Sequence, residues 1–212
     1  MFVKARMTAN PFTVTPQTTV PEAVDLMREH KIRSLPVIED GRLVGLLGQR
    51  EVAAAMPSAA TSLAAGEINY LLNKLQVGKV MAKNPVTISP DALLEEAAIA
   101  MRDHKVELLP VVEDGAVVGV ITESAIFDAF IEILGFRDHG TRLTVDAVDA
   151  PGVMAKLAET TARHGANIQH MAVYRGQQRA EVVFGVNTPN TDALEADLTK
   201  AGFEVVSKLV NP

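Results

Sequence analysis

His30-Lys31-Ile32-Arg33-Ser34-Leu35-Pro36-Val37-Ile38-Glu39-Asp40-Gly41, with Gly45 just beyond it, decides the fold because the chain contains this stretch twice. The second occurrence reads His104-Lys105-Val106-Glu107-Leu108-Leu109-Pro110-Val111-Val112-Glu113-Asp114-Gly115, followed by Gly119. Working outward, residues 3–51 lie on 77–125 without a gap. Met7/Met81, Asn10/Asn84, Pro11/Pro85, Pro16/Pro90, Ala23/Ala97 and Met27/Met101 coincide. A spacing kept without insertion marks two copies of one structural unit. Two copies are too few for a solenoid, so a closed pair is expected.

Each copy reads as strand, helix, strand, strand, helix. Phe12-Thr13-Val14 is a short extended segment between two prolines. Thr19 and Glu22 form the pattern of a capping box, and Pro21 falls in the first helical turn, where its missing N–H costs nothing. Ala23, Val24, Met27 and His30 mark the buried stripe. Leu35–Ile38 and Leu43–Leu47 are β segments joined through Asp40-Gly41, a hairpin signal. The second copy repeats this with Val86–Ile88, a helix over 92–104, Leu109–Val112, Asp114-Gly115 and Val117–Ile121. It ends in a helix over about 124–134, with Ile126, Phe127, Phe130, Ile131 and Leu134 on one face. Between the copies, Ser62 can cap a helix carrying Ile68, Leu71, Leu72 and Leu75. That helix is an amphipathic connector or a partner-docking element.

The pattern changes after Gly135. Gly135-Phe136-Arg137-Asp138-His139-Gly140 is a polar linker bounded by glycines. Arg142–Ala147 alternates as a strand, and Asp149-Ala150-Pro151-Gly152 opens a helix that Gly165 closes. Ile168–Tyr174 and Ala180–Val186 form a hairpin, Thr191–Ala201 a helix and Phe203–Val210 a last strand. This is βαββαβ on a four-stranded antiparallel sheet. The fold class is α+β, divided as 1–56 (first copy), 57–76 (connector), 77–134 (second copy), 135–140 (linker) and 141–212.

Composition narrows the function. Aromatic residues make up 4% and Trp is absent, which argues against stacking platforms for single-stranded nucleic acid. The net charge of −6 and the lack of any Lys/Arg block argue against a nucleic-acid partner. Without cysteine there is neither a disulfide framework nor a thiolate site. No apolar leader and no run long enough to span a membrane appears, so a soluble cytoplasmic protein is expected. The five histidines show no metal-ligand spacing, and no catalytic motif is present. A metal site and enzymatic activity are not expected.

With these residues in view, the two copies resemble tandem CBS domains, the pair known as a Bateman module. The marks are Met7-Thr8 and Met81-Ala82, the Asn-Pro and Thr-(Val/Ile)-x-Pro segments, Leu-Pro-Val, Glu-Asp-Gly and the following Gly-aliphatic-aliphatic. The last 75 residues resemble an ACT domain through Asp149-Ala150-Pro151-Gly152 and Gly165-Ala166-Asn167-Ile168. The combination, with Glu67-Ile68-Asn69-Tyr70-Leu71-Leu72 inserted between the copies, is similar to the acetoin-utilisation regulatory protein family.

The resemblance implies two clefts for adenosine-containing ligands. Backbone near the Pro-aliphatic-Thr and Leu-Pro-Val segments would frame the adenine: Asn10, Pro11, Phe12 and Thr13 with Ser34, Leu35 and Pro36, and Thr87 with Leu109 and Pro110. A Thr or Ser, and an Asp three residues later, would hold phosphate and ribose. The first copy departs from this with Gly48 and Glu51, and the second keeps Thr122 but has Ala125. Arg33 suits phosphate because its fork offers paired donors, whereas the equivalent Glu107 would repel it. The first-copy cleft with Arg33 and Glu51 is therefore the expected main nucleotide site. The alternative is that Arg33 is a solvated strand residue and Glu51 an ordinary helix-start acid. An ACT domain would bind an amino acid or similar effector where the loop enters its first helix, at Asp149, Pro151, Gly152, Val153 and Asn167. There the alternative is that Asp149 caps the helix and Pro151-Gly152 shape its first turn.

Two functions follow. One is a regulatory sensor that binds an adenine nucleotide (AMP, ADP or ATP), with a possible amino acid effector, and controls an unidentified partner protein as a homodimer. The other is a dimerisation scaffold that binds no ligand.

Overall fold

The computed structural model describes residues 1–56 and 74–211. The connector helix expected from Ser62 falls almost wholly outside them. The chain divides into two compact units, Met1–Phe127 and Asp128–Pro212.

In the first unit the first copy runs through strand β1 (Thr8–Ala9), helix α1 (Val20–Glu29), strands β2 (Ser34–Glu39) and β3 (Arg42–Gly48), and helix α2 (Gln49–Ala55). After a short helix α3 (Val77–Val80), the second copy runs through β4 (Ala82–Lys83), α4 (Leu94–His104), β5 (Leu108–Glu113), β6 (Ala116–Thr122) and the start of α5 (Glu123–Ile133). The segment read as the first strand makes one parallel bridge, Val14 to Val37, and the paired strand lies earlier, at β1.

The two copies are interlocked. One sheet has the order β1-β6-β5 and the other β2-β3-β4, so each takes its first strand from the opposite copy. Thr8 pairs with Val120, and Leu46 with Ala82. Backbone bonds repeat the exchange: Val3 N–H donates to Ala92 O and Lys4 N–H to Pro90 O, while Val77 N–H donates to Thr18 O and Gly78 N–H to Pro16 O. Close packing follows, since a Cβ on Gly119 would run into the Met7 side chain and one on Gly45 into that of Met81. The recurrence of Met7/Met81 and Gly45/Gly119 in the sequence therefore has a steric cause.

Local chemistry sets the element ends. The Glu22 carboxylate accepts from Thr19 N–H at 2.9 Å, and Thr19 Oγ1 accepts from Glu22 N–H at 3.4 Å. These bonds hold the Glu22 carboxyl below its ordinary pKa. In the second copy Leu93 replaces the threonine, and only the Glu96 carboxylate remains, accepting from Leu93 N–H at 2.7 Å. Both hairpins turn through two residues with positive φ, Asp40-Gly41 (49° and 77°) and Asp114-Gly115 (50° and 83°), the type I′ geometry. The apolar stripes meet in a core that includes Ala23, Met27, Leu35, Val37 and Leu47. Of these, the larger side chains Met27, Leu35, Val37 and Leu47 each contribute about 1.5–3 kcal/mol on full burial.

Helix α5 departs from the expected stripe. Ile126 and Ala129 are buried, but Phe127 is 60% exposed and Leu134 also faces out. At 3.6 residues per turn the buried line follows 126 and 129, and Phe127 falls about 100° from Ile126.

In the second unit, strands β7 (Gly140–Val148), β8 (Ile168–Arg175), β9 (Arg179–Val186) and β10 (Glu204–Asn211) form one antiparallel sheet of order β10-β7-β9-β8. Helices α6 (Val153–Arg163) and α7 (Asp192–Lys200) cover one face through Leu157, Leu194 and Leu198, packed on Leu143, Val145, Val182 and Phe184. On the other face His170 stands opposite Gly185. A Cβ on either Gly135 or Gly185 would collide with its ring. Residues 135–138 are tied over it, for Asn211 Nδ2 donates to Phe136 O (3.0 Å) and Asp138 O (3.3 Å), and Arg142 Nη1 to Leu134 O (2.9 Å). Neither buried ring nitrogen of His170 has a hydrogen-bond partner, and Nδ1 lies 3.6 Å from Asp138 Oδ2. Burial pushes this imidazole below its ordinary pKa, Arg142 pushes the same way, and Asp138 opposes.

Among the described residues no helix is long and apolar enough to cross a membrane.

Candidate ligand-binding clefts

The strand exchange sets the start of each copy against the end of the other, and a cleft opens at each meeting. The larger, about 520 Å³, is lined by Thr8, Asn10, Pro11 and Phe12 from the first copy and Val120, Thr122, Glu123 and Ser124 from the second. The smaller, about 230 Å³, is its pseudo-symmetric counterpart: Ala82, Pro85 and Val86 face Leu46, Gly48, Gln49, Arg50 and Glu51. Arg33 and Glu107, equivalent in the two copies, border both clefts.

The larger cleft combines an aromatic surface with charge of both signs. Phe12, half exposed, is stacked on His30 with ring centroids 3.7 Å apart and planes 18° apart. Lys31 and Arg33 supply cations, and Glu107 and Glu123 carboxylates. Thr122 Oγ1 accepts from Ala125 N–H at 3.3 Å, so the hydroxyl closes the first turn of α5 while its residue lines the cavity.

The smaller cleft is partly filled from within. Glu51 Oε2 accepts from Gly48 N–H at 3.1 Å, satisfying a donor at the start of α2. A Cβ at Gly48 would stand 2.9 Å from that carboxylate oxygen and 3.2 Å from Ser34 Oγ. The missing side chain at 48 and the glutamate at 51 are therefore one arrangement. Arg50 pairs with Glu51 at 3.4 Å with its own side chain mostly in solvent, an ion pair worth little.

The expected site residues divide accordingly. Asn10, Pro11, Phe12, Arg33, Ser34, Pro36 and Thr122 come together in the larger cleft. Glu51 is in the smaller one, where it meets Arg33 and Ser34 but not Asn10–Phe12. Thr13 lines a separate hollow with Gly41 and Ala116. Leu35 and Leu109 are core side chains, so only their backbone could meet a ligand. The Pro36 and Pro110 carbonyls already accept from Val14 and Ile88 N–H, each at 3.1 Å. Thr87 is exposed and borders neither cleft. Lys31, Glu123 and Ser124 in one cleft, and Arg50 and Lys105 in the other, are additions that only the pairing of opposite copies reveals.

Comparison with known proteins fits this architecture. The profile of the CBS domain matches residues 3–58 and 77–132. The chain belongs to the CBS-domain family. The ACT domain profile matches 141–203, so a tandem CBS pair is followed by a C-terminal ACT domain. An inosine-5'-monophosphate dehydrogenase from Korarchaeum cryptofilum is 36% identical over 140 residues, 66% of this chain. The match spans only 26% of that relative's length. Among solved structures, an acetoin utilization protein (AcuB) from Vibrio cholerae is 30% identical with a TM-score of 0.54, covering 65% of this chain and 96% of its own. CBSX2, solved in complex with AMP, is 30% identical with a TM-score of 0.52, covering 62% and 97%. The CBS domain pair of MJ0100, solved with 5-methylthioadenosine and S-adenosyl-L-methionine, is 26% identical with a TM-score of 0.51, covering 61% and 99%.

In the ACT domain, Gly152 is the N-cap of α6 with φ 89°, and no side chain caps that end. Asp149 does not cap the helix, contrary to one reading of the sequence. Its carboxylate pairs with Arg175 at 3.3 Å, and its N–H donates to Gln178 O. Pro151, Gly152 and Val153 stay together at this end of the sheet. Asn167 does not join them, because it precedes β8 at the opposite end, where its N–H donates to Asn187 Oδ1 at 2.8 Å.

Proposed function

We propose that this protein is a regulatory ligand sensor whose CBS pair binds an adenine nucleotide (AMP, ADP or ATP) and whose state is read by a partner protein. The observation that carries the reading is the gathering of Phe12, Arg33 and Thr122 from both copies around one cleft of about 520 Å³. That volume falls in the range of small-molecule sites, about 300–1,000 Å³, and 230 Å³ falls below it. Arg33 borders both clefts and provides the phosphate contact in either. The ligands of CBSX2 and of the MJ0100 pair support an adenosine moiety. The ACT domain takes an amino acid or similar effector at the Pro151–Val153 turn, where Gly152 lets a ligand approach the backbone. The protein acts in the cytoplasm as a homodimer, in which pairing covers the open edges of β8 and β10.

A second reading has its own support. Ala125 offers no ribose acceptor, Glu51 is already engaged with Gly48, and Glu107 opposes phosphate in both clefts. These departures favour a scaffold that binds no nucleotide. Isothermal titration of nucleotide-stripped protein with AMP, ADP, ATP, NAD and S-adenosylmethionine separates the two. Saturable heat with at least one of them is expected for the sensor, and none with any of them leaves the scaffold.

A further inference from the structure

The four charged residues of the larger cleft come from opposite copies according to sign. Lys31 and Arg33 lie on the first copy between α1 and β2, and Glu107 and Glu123 lie on the second. Glu123 N–H donates to Glu107 O at 3.1 Å, so the two acidic residues are neighbours where β5 begins and α5 opens. Among the described residues none of the four side chains is ion-paired or hydrogen-bonded. The repeat itself does not require acid here, because the first copy has Arg33 and Gln49 at the equivalent positions. A carboxylate at a helix start suits the dipole, which accounts for Glu123 but not for Glu107, which precedes a strand.

We propose that Glu107 and Glu123 make the larger cleft a charge filter, which admits an adenine nucleotide with one phosphate and rejects those with a longer phosphate chain. The proposal rests on the nucleotide reading and names which nucleotide the site takes. One phosphate carries about −1.5 to −2 charges at neutral pH. Lys31 and Arg33 balance it, Arg33 through paired donors. Each further phosphate adds negative charge, and among the described residues no third Lys or Arg lines the cleft to meet it. The longer chain meets the two carboxylates instead, in a cavity where water screens charge less than in bulk. Like charges placed this way do little for the right ligand and penalise the wrong one. The smaller cleft has no such balance, since Arg33, Arg50 and Lys105 border it and Glu51 is already engaged by Gly48 and Arg50.

Titration calorimetry of the full-length, nucleotide-stripped chain with AMP and with ATP, in the absence of divalent cations, tests the filter. The parent should bind AMP at least about tenfold more tightly than ATP. Glu107→Gln with Glu123→Gln should cut that ratio about tenfold, by a gain for ATP with little change for AMP. Glu107→Gln alone, which leaves the start of α5 intact, should give part of the gain. Circular dichroism checks that each variant is folded. Raising salt from about 0.05 M to about 0.5 M should also shrink the parent's ratio, because screening weakens the repulsion. Equal affinity of the parent for AMP and ATP, or the same ratio in parent and double variant, overturns the filter and leaves the nucleotide reading standing. Binding of neither nucleotide overturns both. If added Mg2+ makes ATP the tighter ligand in the parent but not in the double variant, the carboxylates hold a cation and the filter is wrong.

Discussion

Met7 of the first copy lies against Gly119 of the second, so a methyl group at 119 would overlap its thioether and also approach Thr8 O to 3.0 Å. The thioether can swing away, but the carbonyl belongs to a paired strand. Gly119→Ala is therefore expected to destabilise the CBS pair by about 1–3 kcal/mol, as overpacking typically does. Denaturant titration measures it. Combining it with Met7→Ala should recover only part of the loss, because the contact with Thr8 O remains. Full recovery would show that the thioether alone is the obstacle.

Arg33 is expected to dominate nucleotide affinity. A hydrogen bond to a charged group contributes about 1.5–3 kcal/mol, so Arg33→Ala should weaken binding roughly ten- to a hundredfold. Glu107→Ala should leave affinity unchanged or slightly better. Titration calorimetry with the nucleotide that binds the parent decides, and equal affinity for Arg33→Ala and the parent would remove Arg33 from the site.

Saturating nucleotide should also raise thermal stability. At about one hundred times the dissociation constant the gain is roughly 2.7 kcal/mol. For a chain of this size that corresponds to a melting shift on the order of 5–10 °C if unfolding is near two-state. No shift with any adenosine compound would favour the scaffold.

His170 makes the ACT domain sensitive to acid. Its folded pKa lies below the ordinary imidazole value. As pH falls through about 6.5 the unfolded chain takes up a proton that the folded chain does not, and stability drops until the folded pKa is passed. Above that range the residue has no effect on pH dependence. The denaturation midpoint should fall between about pH 7.5 and 5.5, and His170→Asn should flatten the curve. An unchanged slope in that variant would mean that other groups carry the acid sensitivity.

A fragment that starts at Gly135 should be more stable than one that starts at Thr141. The shorter fragment loses Asp138 and the Asn211 bonds to 136 and 138, and it bares one side of the His170 ring. Melting of the two fragments compares them directly, and equal stability would show that residues 135–140 behave as a free tether.

Much of this fold is legible in local sequence. Asp40-Gly41 and Asp114-Gly115 fix the hairpins because a type I′ turn needs two residues of positive φ. Thr19 and Glu22 fix the start of α1 because each satisfies the other's backbone donor. The clefts were harder to read. Alignment of the copies groups Asn10–Phe12 with Glu51, yet β1 pairs with β6 and β4 with β3. Nothing local distinguishes a strand that folds back on its own copy from one that crosses to the other. Asp149 shows a similar limit, since its partner Arg175 lies across the sheet rather than in the turn it opens.

The exchanged strands also govern the order in which the chain can mature during synthesis. When the first copy leaves the ribosome, β3 has only β2 beside it and its other edge must wait for β4. β1 waits far longer, because Thr8 finds Val120 only after nearly all of the second copy has been made. Pairings of such long sequence separation form slowly, and an open strand edge invites the wrong neighbour in the meantime. The unit that was duplicated in the gene is thus not the unit that folds, and a single copy made alone would be born with an unpaired edge.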